Sequence, residues 1–165
     1  MAATNLPSSA STMYKTLHST AIEFIRSQDQ DVSTPTCMNN DRIRAIRAES
    51  GFQHSWGHNY LVSTKPGLSS VLDVDGFIAH LSTMLPHLES WDTEITDIMI
   101  DELRLMAMVR GSYYMRAKGA EVVVENDLIW FLTMSEDGKK VAKSVEFIDV
   151  AASQKLKEII KGVKK

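Results

Sequence analysis

The stretch Leu128-Ile129-Trp130-Phe131-Leu132-Thr133-Met134, followed by Ser135-Glu136-Asp137-Gly138-Lys139-Lys140 and then Val141-Ala142-Lys143-Ser144-Val145-Glu146-Phe147-Ile148-Asp149, decides the fold. Its outer segments are rich in β-branched and aromatic residues. The polar middle carries an Asp-Gly step, a strong hairpin signal. Two strands joined this way belong to an antiparallel sheet. In the returning strand Val145 and Phe147 point to one face, so Glu146 shares the other with Ser144 and Ile148.

Upstream, Leu103, Leu105, Ala107 and Val109 alternate with Glu102, Arg104, Met106 and Met108, a strand period that continues towards Arg116. Glu94–Ile100 reads as a further strand, and Val122–Val124 leads into the hairpin. The earlier half of the chain has the helical period instead. Met13, Leu17, Ala21, Phe24 and Ile25 give one apolar face to a helix over 12–27. A short helix follows over 41–48, with Asn39 or Asn40 as N-cap and Gly51 as its end. Phe52–Trp56 reads as a short strand. Gly57–Ser70, with Lys65-Pro66-Gly67, reads as irregular, and a loop of that length commonly borders a site. Asp73 or Asp75 then caps a helix with Phe77, Ile78, Leu81 and Leu85 on its buried stripe, stopped by Pro86. A last helix covers 153–161, with Leu156, Ile159 and Ile160 on one side.

Helices gathered on one side of an antiparallel sheet make an α+β domain. The expected architecture is a curved antiparallel sheet forming a cone, with helices packed on its concave side. The cavity of such a cone would hold a small molecule. The expected organisation is a frayed N-terminus over 1–11, one domain over 12–161 and a basic tail over 162–165.

Composition narrows the function classes. The chain has 165 residues, 44% of them hydrophobic, and a net charge of −3. That provides a real core and no basic field for a nucleic acid backbone. The single cysteine, Cys37, excludes an intramolecular disulfide and suits a reducing compartment. No run approaches the length of a membrane span. The expectation is a cytoplasmic protein without membrane or nucleic acid partners. Homodimerisation is expected, because the convex face of the sheet needs cover.

Glu146 is the sharpest chemical candidate. A carboxylate in an apolar cavity has a raised pKa, which suits general acid/base work near neutral pH. The competing reading is an exposed strand glutamate paired with a lysine such as Lys143. His54 and Trp56 share one face of the short strand. The histidine could shuttle a proton or donate to an oxyanion, and the indole could stack on a planar substrate; core packing is the alternative for Trp56. Trp130 either walls the pocket or fills the core. Tyr113 and Tyr114 point to opposite faces, and Tyr113 is taken as the inward one. Tyr60, in the long irregular segment, completes the candidate binding set. His54 and His58 are four residues apart, but on a strand that separates the rings by about 13 Å, too far for one metal. There is no phosphate-binding glycine motif and no nucleophile elbow. No metal and no cofactor is indicated.

Two segments resemble a known family. Val145–Asp149 after Phe131–Lys140 resembles the end of fungal SnoaL-like proteins. So does Arg47-Ala48, five residues, then His54-x-Trp56 after a first helix. The resemblance runs from about Met13 to Ile160, with Asp29–Met38 and Gly57–Val71 departing from the pattern. It implies the cone-shaped fold of ketosteroid isomerase, scytalone dehydratase and the nuclear transport factors. It also implies a cofactor-independent enzyme of secondary metabolism acting on polyketides, meroterpenoids or indole alkaloids. It places Arg47 at the cavity mouth, holding a carboxylate or enolate oxygen, with Arg42 and Arg44 as rivals for that place. The implied reaction is acid/base cyclisation of a polyketide-like intermediate, including lactone or pyrone formation. Isomerisation or dehydration of a meroterpenoid or alkaloid, and a non-catalytic dimer-forming module, are the alternatives.

Overall fold

The computed structural model describes residues 6–163. Residues 1–5 of the expected N-terminal arm, and Lys164 and Lys165 of the expected basic tail, lie outside the described residues.

Helix α1 spans Thr12–Arg26 and is capped by the Ser11 hydroxyl, which accepts from the Tyr14 N–H. Helix α2, Asn40–Ala45, is capped in the same way by Asn39. Strand β1, Gln53–Trp56, follows. The segment expected to be irregular instead contains helix α3, Asn59–Thr64, and a 3-10 turn at Pro66–Leu68. Helix α4, Val74–Ser82, starts at Asp73, whose carboxylate accepts from the Gly76 N–H. Strands β2 (Leu88–Asp101), β3 (Met106–Ala117), β4 (Val123–Met134) and β5 (Val141–Ile148) complete the sheet, and helix α5, Val150–Val163, closes the domain.

The sheet order is β1-β5-β4-β3-β2. All neighbours are antiparallel except β1, which runs parallel to β5. The β4–β5 hairpin forms at the expected place, and its register pairs Trp130 with Glu146. The β2–β3 turn differs from the expected pattern. The alternation read from Leu103 onwards begins only at Met106, because residues 102–105 turn the chain. Leu105 takes φ 53°, Leu103 is 97% exposed, and Asp101 accepts from the Arg104 N–H.

Residues facing the helices build one core: Trp91 and Ile95 from β2, Val109 and Tyr113 from β3, Leu128, Trp130 and Leu132 from β4. Leu17, Phe24, Phe77, Leu81 and Leu156 meet them from the helices. Each such side chain contributes about 1.5–3 kcal/mol by leaving water. The sheet curves where β2 changes register between Ile95 and Asp97. Opposite this point stands Gly111, where a Cβ would come within 2.7 Å of the Glu94 carbonyl oxygen. The curvature and the helices on one face leave a cone.

Candidate active site

The cone holds a cavity of about 650 Å³. Its inner part is walled by Trp56, Phe77, Trp91, Tyr113, Met115 and Glu146. The 3-10 turn supplies Lys65–Leu68 and α5 supplies Val150, Ser153, Gln154, Leu156 and Lys157. Lys65, Gln154 and Lys157 are exposed, so they mark the side open to water.

Glu146 reaches this cavity because β5 alternates as expected, with Ser144, Glu146 and Ile148 turned inwards. It is the only carboxylate in the lining among the described residues. Burial pushes its pKa from 4.5 up to about 8, and the neighbouring Trp56 indole N–H offsets part of that rise. The parallel pairing of β1 and β5 sets Trp56 beside Glu146 and His54 beside Ser144. The competing pairing of Glu146 with Lys143 is not found: Lys143 is exposed and alternates to the opposite face.

His54 lies behind Glu146 rather than in the cavity wall. Its side chain is fully buried among Trp56, Phe77 and Trp130. Nδ1 is 3.0 Å from the Ser144 hydroxyl, and Nε2 is 3.8 Å from the nearer Glu146 oxygen. That second distance is too long for a hydrogen bond. Burial, then His80 and Arg47, pull its pKa down to about 3, so the ring is neutral.

Arg47 is not at the cavity mouth. Its guanidinium stacks 4.4 Å from the ring centres of both Phe24 and Phe77, and 5.3 Å from that of Phe52. Nη1 donates to the Ile43 carbonyl and the Ser27 hydroxyl, while Nε and Nη2 have no hydrogen-bond partner among the described residues. Burial lowers its pKa to about 9. The physical reason for the correction is the end of α2. The chain turns inwards at Ile46 and docks against Val141, which carries Arg47 into the core. Arg42 and Arg44 do not face the cavity either; they pair on the surface with Glu23 and Asp75.

The proposed binding residues divide. Trp56 and Tyr113 line the cavity. Trp130 fills the core, edge-on to Phe24 at 5.3 Å and against His54. Tyr60 is 84% exposed, because α3 turns Leu61 inwards in its place. Wall residues that escaped the sequence reading include His80, Trp91 and Asn126. The Trp91 indole stands edge-on to the Tyr113 ring at 4.8 Å. Neither the Trp91 N–H nor the Tyr113 hydroxyl has a hydrogen-bond partner among the described residues. Burial, and then the charge of Glu146, hold the Tyr113 hydroxyl well above the usual phenol pKa, so it stays a donor. His80 packs edge-on to Trp56 at 4.9 Å, and burial lowers its pKa. The signal for Trp91 was present in sequence, as an apolar residue between Ser90 and Asp92 at strand spacing. Among the described residues no cluster of His, Cys, Asp or Glu is placed to hold a metal, and no helix is long and apolar enough to cross a membrane.

No family model matches the chain, and no curated protein matches it in sequence. Solved structures do. PrhC from Penicillium brasilianum aligns with 17% identity over 93% of both chains, at a TM-score of 0.72. The BvnE pinacolase from Penicillium brevicompactum aligns with 15% identity over 95% of this chain and 99% of its own, also at 0.72. A protein assigned as a SnoaL-like polyketide cyclase, from Jannaschia sp. CCS1, aligns with 11% identity over 91% and 96%, at 0.67. The cone-shaped α+β domain described above is therefore the fold of SnoaL-like and ketosteroid isomerase-like proteins.

Proposed function

We propose that the protein is a cofactor-independent acid/base enzyme that closes a ring in a polyketide-like small molecule bound in the cone. The observation that carries this reading is Glu146, a lone carboxylate in a largely apolar cavity, with its pKa raised to about 8. A group so tuned is part acid and part base near neutral pH. In its ionised form Glu146 takes a proton from an acidic C–H or O–H of the substrate. The negative charge then develops on a substrate oxygen, and the free donors of Tyr113 and Trp91 are the wall groups suited to meet it. The new ring bond forms when the nucleophile so made attacks a carbonyl carbon of the same molecule. The C=O π bond breaks, its electron pair moves to the oxygen, and the carboxyl group of Glu146 returns its proton to that oxygen. His54 touches no substrate in this scheme. It is a positioning residue that packs beneath Glu146 and contributes no charge. The likeness to a pinacolase and to SnoaL-like cyclases in fold agrees with proton-transfer chemistry on a small molecule.

We further propose that the protein is a homodimer formed through the outer face of the sheet.

The test of the enzymatic reading is Glu146→Gln, which keeps the side chain's shape and removes the base. Turnover should fall by roughly 10²–10⁴-fold, the usual contribution of a general base. For the wild type, kcat/KM should rise with pH and level off above about 8, following ionisation of Glu146. Wild-type turnover by the Gln variant would sink the assignment.

A further inference from the structure

The charges of the cavity are sorted by position. Inside stand Glu146, His80 and Tyr113, all neutral or largely so at pH 7. At the open side stand two cations, Lys65 on the 3-10 turn and Lys157 on α5. Neither ammonium takes part in an ion pair or a hydrogen bond among the described residues, although the chain as a whole carries a net charge of −3. The surface carboxylates lie elsewhere: Glu146 apart, none lines the cavity, and Glu158, beside Lys157 in sequence, accepts from Gln154. Two unpartnered cations from separate elements at the rim of an apolar cavity favour an entering molecule whose trailing end is negative.

Resting on the reading of the cavity as a small-molecule site, we propose that its substrate is an amphipathic carboxylate, with an apolar body in the cone and its carboxylate held at the rim by Lys65 and Lys157. One carboxylate suits this rim better than a carrier rich in phosphates. Two exposed lysines offer two point charges and no guanidinium fork. The neutral interior supports the same orientation. An anionic end would be desolvated inside without a partner, whereas at the rim it keeps its water.

Decanoate and 1-decanol separate the parts of this proposal, because they share a chain and differ in the end group. Trp56 and Trp91 line the cavity and report binding by their fluorescence. At low salt the intact protein should bind decanoate roughly three- to tenfold more tightly than decanol, the size expected of two exposed ion pairs. The preference should shrink in high salt. It should disappear in the double variant Lys65→Gln, Lys157→Gln, while decanol binding stays unchanged. Both positions are exposed, so the variant folds. Equal binding of the two probes, or a decanoate preference that survives the double substitution, would overturn the carboxylate assignment and leave the cavity's role intact. Failure of both probes to bind would overturn this inference together with the reading of the cavity as a site for apolar molecules.

Discussion

The pKa of Glu146 is also a statement about stability. In the unfolded chain its carboxyl group titrates near 4.5, and in the fold near 8. Between those values the folded state holds a proton that the unfolded state has lost. Stability therefore falls as pH rises through that window, by at most about 1.4 kcal/mol per pH unit. His54 acts in the opposite sense. Its folded pKa near 3 lies below the ordinary 6.5, so stability falls as pH drops through that lower window. Glu146→Gln should thus remove the alkaline loss and keep the acid one. We expect the variant to be more stable than wild type at pH 8 by roughly 1–3 kcal/mol, and nearly unchanged at pH 4.5. Chemical denaturation at the two pH values measures both. An equal effect at both would mean that Glu146 ionises freely in the fold. At this scale the sequence was partly legible. Strand alternation was enough to turn Glu146 inwards. The aromatic box of Arg47 was not readable, because it is made by Phe24, Phe52 and Phe77 from three separate elements.

Strand β2 changes register beside Gly111, and we expect the bend of the sheet there to depend on that glycine. A methyl group there would press on the Glu94 backbone, which is held in the β2–β3 ladder. Gly111→Ala should cost roughly 1–3 kcal/mol by forcing the strands apart, and should flatten the wall that carries Trp91 and Tyr113. Thermal unfolding reads the first effect, and quenching of Trp fluorescence by decanoate reads the second. An alanine variant with wild-type stability would show that the sheet curves without this glycine. The elements that sequence located well, α1, α4 and the β4–β5 hairpin, each have strong local signals: a capping side chain with an apolar stripe, or a polar Asp-Gly turn between alternating strands. Helix α3 had none. It is six residues long, contains Val62 and Thr64, and begins at His58 in the left-handed region without a side-chain cap. Such a helix forms because Leu61 is buried beside the cavity, not because its own residues favour it.

On the scale of the molecule, the described residues cover the inner face of the sheet and leave the outer face open. The ladder register sets Met99, Met108, Phe131 and Val145 side by side across four strands, on the face away from the helices. Met99 is 61% and Phe131 is 39% exposed, and Phe131 packs edge-on to Phe147 at 5.6 Å. An apolar row with the Arg110–Asp127 ion pair beside it offers both a core and a rim to a second copy of itself. The expectation of a dimer rested on the convex face needing cover, and the register shows which residues would meet. If two copies pack face to face, Met99 and Phe131 are buried in the contact, and a charge at each is repelled by its symmetry mate. The double variant Met99→Lys, Phe131→Lys should then run as one chain of 18.5 kDa in light scattering, with the wild type at twice that mass. The variant should keep its thermal transition, because neither side chain belongs to the inner core. A wild-type protein that stays monomeric at tens of micromolar would refute the dimer. It would leave the acid/base site untouched, because Glu146, Trp91 and Tyr113 face the opposite side of the sheet from Met99 and Phe131.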